Sequence, residues 1–345
     1  MIKIKNIKIG QDYKKIFSVA EIGVNHNGSL KKSYRLIDYA VKSGFDAVKF
    51  QTFDLDSMLL PNTKLATYQK KTKFLNMKEM LKKISLTKAD FLKINLYCKK
   101  KKIIFLSTPF DIKSAEFLNS LHVPVFKISS GDLDNFLLLK KIKSFKKPII
   151  ISTGMATLKD IKKTVKFLKL KKNKLIIMHC ISEYPTKLDE SQLGFIKELK
   201  KLKYTVGFSD HTIGFEASIA SIALGAKIIE KHITLDNNLK GPDHSSSMNV
   251  KFLKNFINMI NSLTKSLNVN KKFITKEERA NAKVAKKALY YNKNLQKFHK
   301  ITFDDLISLR PFNNGISPSN YKILIGKRIK KNINKFQNIK ETDLI

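Results

Sequence analysis

Short apolar runs rich in β-branched residues recur through the first two thirds of the chain, and each precedes a stretch with apolar residues at helical spacing, such as 30–43, 158–170 and 215–224. The runs are nearly continuous in apolar character, as in strands that are covered on both faces. Eight such units predict an α/β protein with a (β/α)8 TIM barrel; a doubly wound open sheet is the alternative. The runs lie at 17–21, 47–51, 103–107, 125–128, 149–152, 175–179, 205–208 and 228–232.

The pattern changes after about residue 260. We therefore predict a barrel domain over 1–267, a charged linker with helical character over 268–284, and a small domain over 285–345. In the small domain, short strands are predicted at 288–291 and 321–324. Two similar phrases, 300–306 and 338–344, each place Thr or Asp before a short capped turn.

Nearly all of the predicted barrel strands end in polar residues. In a barrel these strand ends lie at one mouth, where the active sites of such folds are built. The shared ending therefore predicts a site at that mouth. The residues concerned are Glu21, Lys49, Gln51, Ser107, Thr108, Lys127, Ser130, Ser152, His179, Ser209, Asp210, His211 and His232.

The formal net charge of +39 raises the question of a polyanion partner. Only four residues are arginines (Arg35, Arg279, Arg310 and Arg328), and the lysines are spread along the chain, so we expect neither a nucleic-acid nor a membrane partner. Cys98 and Cys180 are too few for a disulfide framework, and no segment is typical of a secretory signal or membrane span. These features favour a soluble cytoplasmic protein.

His211, His232 and Asp243 lie within a short span. The two histidines are at the ends of successive predicted strands, and Asp243 is in a Gly-Pro turn. Two imidazoles and one carboxylate would leave open positions on a divalent metal such as Mn, Fe, Co or Zn. Glu230 is expected to orient a ligand or a bound water of that metal. His179 and His244 are expected to be structural or to support the ligands without binding the metal.

Lysines and hydroxyls at the strand ends predict an anion site for a phosphate or a carboxylate. They are Lys49, Thr108, Lys127, Ser130, Ser152 and Ser209. No Walker-type loop or GxGxxG fingerprint is present. Glu21 could hold a substrate hydroxyl or move a proton, and Arg310 offers bidentate geometry in a chain that otherwise uses lysine.

Nine segments together resemble the bacterial sialic acid synthases. They are AEIGVNHNGS (20–29), VKFQTF (48–53), FLSTPFD (105–111), FKISSGD (126–132), IISTGMAT (150–157), HCISEYP (179–185), GFSDHTIGF (207–215), EKHITLD (230–236) and GPDH (241–244). RPFNNGISP (310–318) and LIGKRIKKNI (324–333) are similar to the SAF, or antifreeze-like, domain that ends these enzymes.

The resemblance implies a transferase that condenses phosphoenolpyruvate with N-acetylmannosamine and water to give N-acetylneuraminate and phosphate. It implies that His211 and His232 bind a divalent metal, Mn first and Mg or Co as alternatives, which polarises the sugar aldehyde. A domain-swapped homodimer is also implied, in which Arg310 of one subunit reaches the partner's barrel.

The same resemblance assigns the remaining site residues. Catalytic positions are Glu21, Asp132, Glu230 and Asp243, the last of these shared between metal-bound water and sugar. Phosphoenolpyruvate positions are Lys49, Thr108, Lys127, Ser130, Ser152 and Ser209, and sugar positions include Gln51, Ser182, Tyr184 and Arg310. Asp132 stands where the family usually has Glu, Ser182 replaces an Asn of some members, and the Arg310 loop is one residue longer than usual.

Two other functions stay open at this point. A sister enzyme acting on a 2,4-diacetamido-6-deoxy hexose, which makes legionaminate or pseudaminate, would carry the same motifs. A lysine-rich polyanion-binding protein is the alternative from a different class, and binding to DNA near physiological salt without phosphate release would identify it.

Overall fold

The computed structural model describes residues 1–10, 14–72, 74–269 and 271–345. The chain divides into two compact units, Met1–Asn268 and Val269–Ile345. None of the helices described is long and apolar enough to cross a membrane.

The first unit begins with an antiparallel hairpin, β1 (Ile2–Ile4) and β2 (Ile7–Ile9). Eight parallel strands follow, in the order β5–β4–β3–β10–β9–β8–β7–β6. The two ends of this path, β5 and β6, pack against each other and bring the sheet close to a full ring. The strands are β3 (Phe17–Gly23), β4 (Ala47–Thr52), β5 (Ile104–Pro109), β6 (Phe126–Ile128), β7 (Ile149–Ser152), β8 (Leu175–Cys180), β9 (Thr205–Asp210) and β10 (Ile228–Thr234), with β11 (Met248–Asn249) paired to β10.

Helices follow the barrel strands, and most of them cover the outside of the barrel. They are α1 (Leu30–Ser43), α2 (Leu55–Met58), α3 (Met77–Ile84), α4 (Lys88–Lys100), α5 (Ile112–Ser120), α6 (Phe136–Ser144), α7 (Leu158–Leu168), α8 (Phe195–Lys201), α9 (Glu216–Leu224) and α10 (Leu253–Leu267). Side-chain caps begin most of them; Ser29, for example, accepts a bond from Lys32 N at the start of α1. The fold is the predicted TIM-type α/β barrel.

The two-residue period of the strands divides the barrel interior into an apolar layer and a polar layer. On β3, Phe17 and Val19 point inward below Glu21, and on β10, Ile228 lies below Glu230. The apolar layer packs against the fully buried face of the N-terminal hairpin, which includes Ile4. The hairpin therefore plugs one end of the barrel, and the polar layer is left at the opposite mouth.

The second unit contains α11 (Lys276–Ala285), which extends one residue past the segment 268–284 predicted as a linker with helical character, and an antiparallel pair, β12 (Ala288–Tyr291) and β13 (Leu306–Leu309). Its core is a small apolar cluster around the fully buried Tyr291. The strand predicted at 321–324 is wrong, because Pro318 at the first position of a turn starts a 3-10 helix, Pro318–Ile323.

The two similar phrases of the second unit form similar structures. Lys293 pairs with Asp305 at 2.9 Å, and 38 positions later Lys331 pairs with Asp343 at 2.7 Å. Each aspartate ends a short 3-10 turn, Phe303–Asp305 and Glu341–Asp343. The unit is therefore built on an internal repeat whose buried carboxylates hold the loops.

Candidate active site

A cavity of about 900 Å³ opens at the carboxyl ends of the barrel strands. Its lining includes every site residue assigned by the resemblance except Asp243 and Arg310; of the other polar strand ends, Ser107, His179 and Asp210 do not line it. The residues brought together are Glu21, Lys49, Gln51, Thr108, Lys127, Ser130, Asp132, Ser152, Ser182, Tyr184, Ser209, His211, Glu230 and His232. Eight strands thus contribute to one site.

Glu230 organises the floor of the cavity. Its Oε1 accepts hydrogen bonds from Lys127 Nζ and from Ser209 Oγ, both at 3.0 Å, and lies 3.8 Å from Lys49 Nζ. Burial alone would raise the pKa of Glu230, but Lys127 and Lys49 lower it to about 2. The sequence predicts that Glu230 orients a metal ligand or its water. In the structure, Glu230 accepts hydrogen bonds from Lys127 and Ser209 instead.

The two lysines are held side by side and buried. Lys49 Nζ donates to Thr108 Oγ1 at 2.9 Å and pairs with Glu21. Burial lowers the pKa of Lys127, and the neighbouring Lys49 lowers it further, although Glu230 opposes both effects. Two ammonium groups facing the same space, partly neutralised by Glu230, attract an anion.

Glu21 is the second carboxylate of the site. Its Oε2 lies 2.7 Å from Lys49 Nζ, and its buried Oε1 has no hydrogen-bond partner among the described residues. Burial raises its pKa to about 7, with Glu230 adding to the effect and Lys49 opposing it. Because of this pKa, Glu21 can hold or release a proton near neutral pH. A β-bulge between Glu21 and Gly23, which has φ +54°, ends the regular pairing of the strand here.

Hydroxyls and a glycine form the next part of the rim. Gly154 N donates to Ser130 Oγ at 3.0 Å. A Cβ on Gly154 would overlap the Ser182 hydroxyl and crowd that of Ser130, so a larger residue there would require these hydroxyls to move. The buried Ser152 hydroxyl has no partner among the described residues. These groups leave donors available to a ligand.

The two predicted metal ligands lie next to each other. The ring centroids of His211 and His232 are 5.5 Å apart, and the Tyr184 ring lies 4.2 Å from His211. The Ile181 carbonyl accepts a hydrogen bond of 2.6 Å from His211 Nδ1, which leaves Nε2 as the ring nitrogen for a ligand. Burial alone would lower the pKa of His211, but the Cys180 thiol and the Ile181 carbonyl raise it, so a metal at Nε2 would take the place of a proton there. His232 Nδ1 is buried without a hydrogen bond in the described part of the chain, 3.8 Å from Asp243 Oδ2.

This donor set fits an open metal site. Burial holds the pKa of His232 well below its usual value, with His211 adding to the shift, so its imidazole is neutral as a ligand must be. No three His, Cys, Asp or Glu side chains of the described residues have ligand geometry together. Two histidines would therefore leave several coordination positions to water or substrate.

Cys180 is a residue of the site that the sequence did not reveal. It is buried at the end of β8 and lines the cavity, with Sγ 3.4 Å from Ser130 Oγ. Burial alone would raise the pKa of its thiol, but His211 lowers it to about 7. The alternation Ile176, Met178, Cys180 along an inward-facing strand is the signal that could have found it.

The structure also locates the remaining predicted residues. Asp132 accepts hydrogen bonds from Ser129 Oγ at 2.6 Å and Asn135 Nδ2 at 2.9 Å, so its shorter side chain is tied to its own turn. Asp243 lies beside His232 but outside the cavity lining. Arg310 belongs to the second unit, where it is exposed.

The histidines expected to be structural make hydrogen bonds within the protein. The ring of His179 is bonded to the Ser191 carbonyl at 2.8 Å, and that of His244 to Thr234 Oγ1 at 2.7 Å.

The sequence matches the NeuB family over residues 36–272. The N,N'-diacetyllegionaminic acid synthase of Campylobacter jejuni subsp. jejuni serotype O:2 is 39% identical, over 95% of this chain and 100% of its own. The N,N'-diacetyllegionaminic acid synthase of Legionella pneumophila subsp. pneumophila is 35% identical, over 96% of this chain and 95% of its own.

A solved structure shares the fold. The N-acetylneuraminic acid synthetase of Leptospira borgpetersenii serovar Hardjo-bovis superposes with a TM-score of 0.72 at 32% sequence identity, covering 81% of this chain and 94% of its own.

Proposed function

Because the chain belongs to the NeuB family of sugar acid synthases, we propose that it condenses phosphoenolpyruvate with an N-acetylated amino sugar and water, giving a nine-carbon keto acid and phosphate. The observation that carries this proposal is one cavity with two chemically different ends. Lys49 and Lys127 form an anion-binding floor, and His211, His232 and Glu21 meet beside it.

The floor suits phosphoenolpyruvate. Lys49 and Lys127 can bind its phosphate or carboxylate through charge-assisted bonds, and the hydroxyls of Ser130 and Ser152 add donors. The Glu230 bond to Lys127 keeps the ammonium in place before the ligand arrives. Positioning of this kind lowers the entropic cost of bringing two substrates together.

The other end suits the aldehyde of an open-chain sugar. Carbon 3 of phosphoenolpyruvate bonds to the aldehyde carbon, whose oxygen takes up a proton. Water adds at carbon 2, and phosphate leaves. Glu21, with a pKa of about 7 and a carboxylate oxygen free of hydrogen bonds in the described residues, can supply or receive a proton in these steps.

His211 and His232 would hold a divalent metal, with Mn the first candidate and Mg or Co the alternatives. Bound there, the ion would supply Lewis-acid polarisation of the aldehyde oxygen. We also propose that the protein forms the domain-swapped homodimer that the resemblance implies.

For the acceptor, we propose a 2,4-diacetamido-6-deoxy hexose of the legionaminate type. Two relatives that match over nearly the whole chain, at 39% and 35% identity, are N,N'-diacetyllegionaminic acid synthases. N-acetylmannosamine is the second candidate, supported by the likeness to the Leptospira enzyme.

The experiment is to incubate the protein with phosphoenolpyruvate, Mn²⁺ and either sugar, and to measure phosphate and the mass of the product. We expect phosphate and a nine-carbon keto acid in equal amounts, formed faster from the diacetamido sugar. Phosphate release that does not depend on sugar, or no release with either sugar, contradicts the proposal.

A further inference from the structure

One side of the active-site cavity is largely apolar, in contrast to its charged floor. Phe53, Met58, Leu59, Met77 and Leu81 line this side, and we call them the apolar wall. They come from the segment between β4 and α4 that includes α2 and α3. Thr67 and Gln69 are the polar residues that the same segment adds to the lining. Phe110, which follows β5, packs edge-on against Phe53 with ring centroids 6.4 Å apart and extends the surface.

The wall is a built part of the structure. It packs on a separate apolar cluster in which Val24, Met80 and Ile84 are buried. Asp54 caps α2 by accepting from Ser57 N at 3.0 Å, and Asn76 caps α3 by accepting from Glu79 N at 2.9 Å. These caps and the cluster hold Met58 and Met77 at the cavity.

The size of the cavity leaves room for an acceptor at the wall. At about 900 Å³ it falls near the upper end of the range for small-molecule sites, about 300–1,000 Å³. A three-carbon phosphate on Lys49 and Lys127 would occupy only the floor. The second substrate therefore extends past Glu21 and Gln51 toward the wall.

The wall side chains carry no strong donor or acceptor. A sugar hydroxyl turned toward them would lose water without gaining a hydrogen bond, which is unfavourable. A methyl group in the same place would gain about 0.8 kcal/mol per buried carbon. The wall therefore favours an acceptor that bears methyl groups over one that bears hydroxyls.

We propose that the apolar wall determines acceptor specificity, by receiving the methyl groups of a 2,4-diacetamido-6-deoxy hexose in preference to a hexose with 4- and 6-hydroxyls. This inference rests on the proposed synthase function. It adds that Met58, Leu59 and Met77 contact the part of the sugar remote from the reacting aldehyde.

The test compares kcat/KM for the diacetamido sugar and for N-acetylmannosamine in the wild type and two wall variants, Leu59→Asn and Met77→Gln. One methyl in an apolar pocket gives about 10–200-fold discrimination. We expect the wild type to prefer the diacetamido sugar by a factor in that range. In each wall variant the ratio of the two kcat/KM values should fall by about 10-fold, because KM for the diacetamido sugar rises. KM for phosphoenolpyruvate should stay the same.

Leu60→Asn is the matched control. Leu60 adjoins Leu59 but is 79% exposed and does not line the cavity, so its variant should keep the wild-type preference. Thermal unfolding identifies any variant that fails to fold, and the second wall variant then decides the outcome.

The possible failures are distinguishable. No phosphate release with either sugar overturns the proposed function itself. Phosphate release with equal kcat/KM for both sugars, or a preference unchanged in folded Leu59→Asn and Met77→Gln, overturns the role of the wall and leaves the synthase function standing.

Discussion

Asp210 and Lys231 form a buried ion pair, with 2.8 Å between Nζ and Oδ2, on the outer side of the barrel wall. They lie opposite each other in the β9–β10 ladder. Each immediately precedes a histidine of the site, His211 or His232. The pair therefore fixes the two strand ends from which these histidines extend.

Asp210→Asn should destabilise the protein by about 3–5 kcal/mol, because it leaves the Lys231 ammonium buried without a countercharge. The double variant Asp210→Asn/Lys231→Met should recover part of this loss. Urea unfolding measures both. Glu198→Gln, which removes an exposed pair with Lys201, should cost no more than about 1 kcal/mol. A double variant as unstable as the sum of its two single variants contradicts this explanation.

Glu21 should make stability depend on pH in the opposite sense to an ordinary ion-paired carboxylate. Its folded pKa of about 7 lies above the usual 4.5, so the folded state keeps a proton that the unfolded state releases. Stability is therefore lost as pH rises between these two values. Glu21→Gln should raise Tm relative to the wild type at pH 8 more than at pH 5, while activity falls. An equal effect at both pH values contradicts a raised pKa.

His211 and His232 should both be needed for metal binding. Calorimetric titration of the metal-free protein with Mn²⁺ or Co²⁺ should show one site, and His232→Ala should weaken it by more than about 100-fold, the largest loss expected for a merely supporting residue. The control is His122→Asn, at an exposed histidine outside the cavity. Undiminished binding in the His211→Ala and His232→Ala variants means that the metal lies elsewhere.

In the second unit, Asp305→Asn should be much more disruptive than Asp304→Asn. Asp305 is fully buried and accepts hydrogen bonds from Thr302 N at 2.7 Å and His299 Nε2 at 2.8 Å, whereas Asp304 is exposed. We expect a loss of about 2–3 kcal/mol for Asp305→Asn and about 0.5 kcal/mol or less for Asp304→Asn by chemical denaturation.

The same aspartate should make the second unit less stable in acid. Burial would raise the pKa of Asp305, but Lys293 and the bonds from Thr302 and His299 hold it well below the usual value. Its stabilisation is present above the unfolded pKa of about 3.8 and is lost as pH falls below it. Wild type and Asp305→Asn should therefore converge in stability at low pH.

Much of the barrel and its mouth could be predicted from sequence because both depend on local periodicity. Eight apolar runs define the strands, and the two-residue alternation then decides which polar end residues point inward. Lys49, Lys127 and Glu230 meet for this reason although they are far apart in the chain. The predicted helix 30–43 coincides with α1 (Leu30–Ser43), since both of its caps are explicit in the sequence.

The parts that were not predicted depend on tertiary packing. The N-terminal segment 1–10 alternates lysine and isoleucine, and only the barrel interior reveals that it is a plug. The apolar wall comes from short helices without a long repeat, so its convergence with the floor has no local signature. Two further failures of prediction have other causes. Pro318 starts a 3-10 helix where the sequence predicted a strand. Cys180 was missed because a buried cysteine on a strand resembles a core residue.

Sugar-dependent release of phosphate from phosphoenolpyruvate, measured in the wild type and in Lys127→Met, tests the central claim most directly. The claim predicts release by the wild type only when the acetylated amino sugar is present, and at least about a 100-fold lower kcat/KM in Lys127→Met, because an oriented charge in a buried site is lost. Unchanged release by Lys127→Met, or none from the wild type with Mn²⁺, Mg²⁺ or Co²⁺ and either sugar, would contradict it.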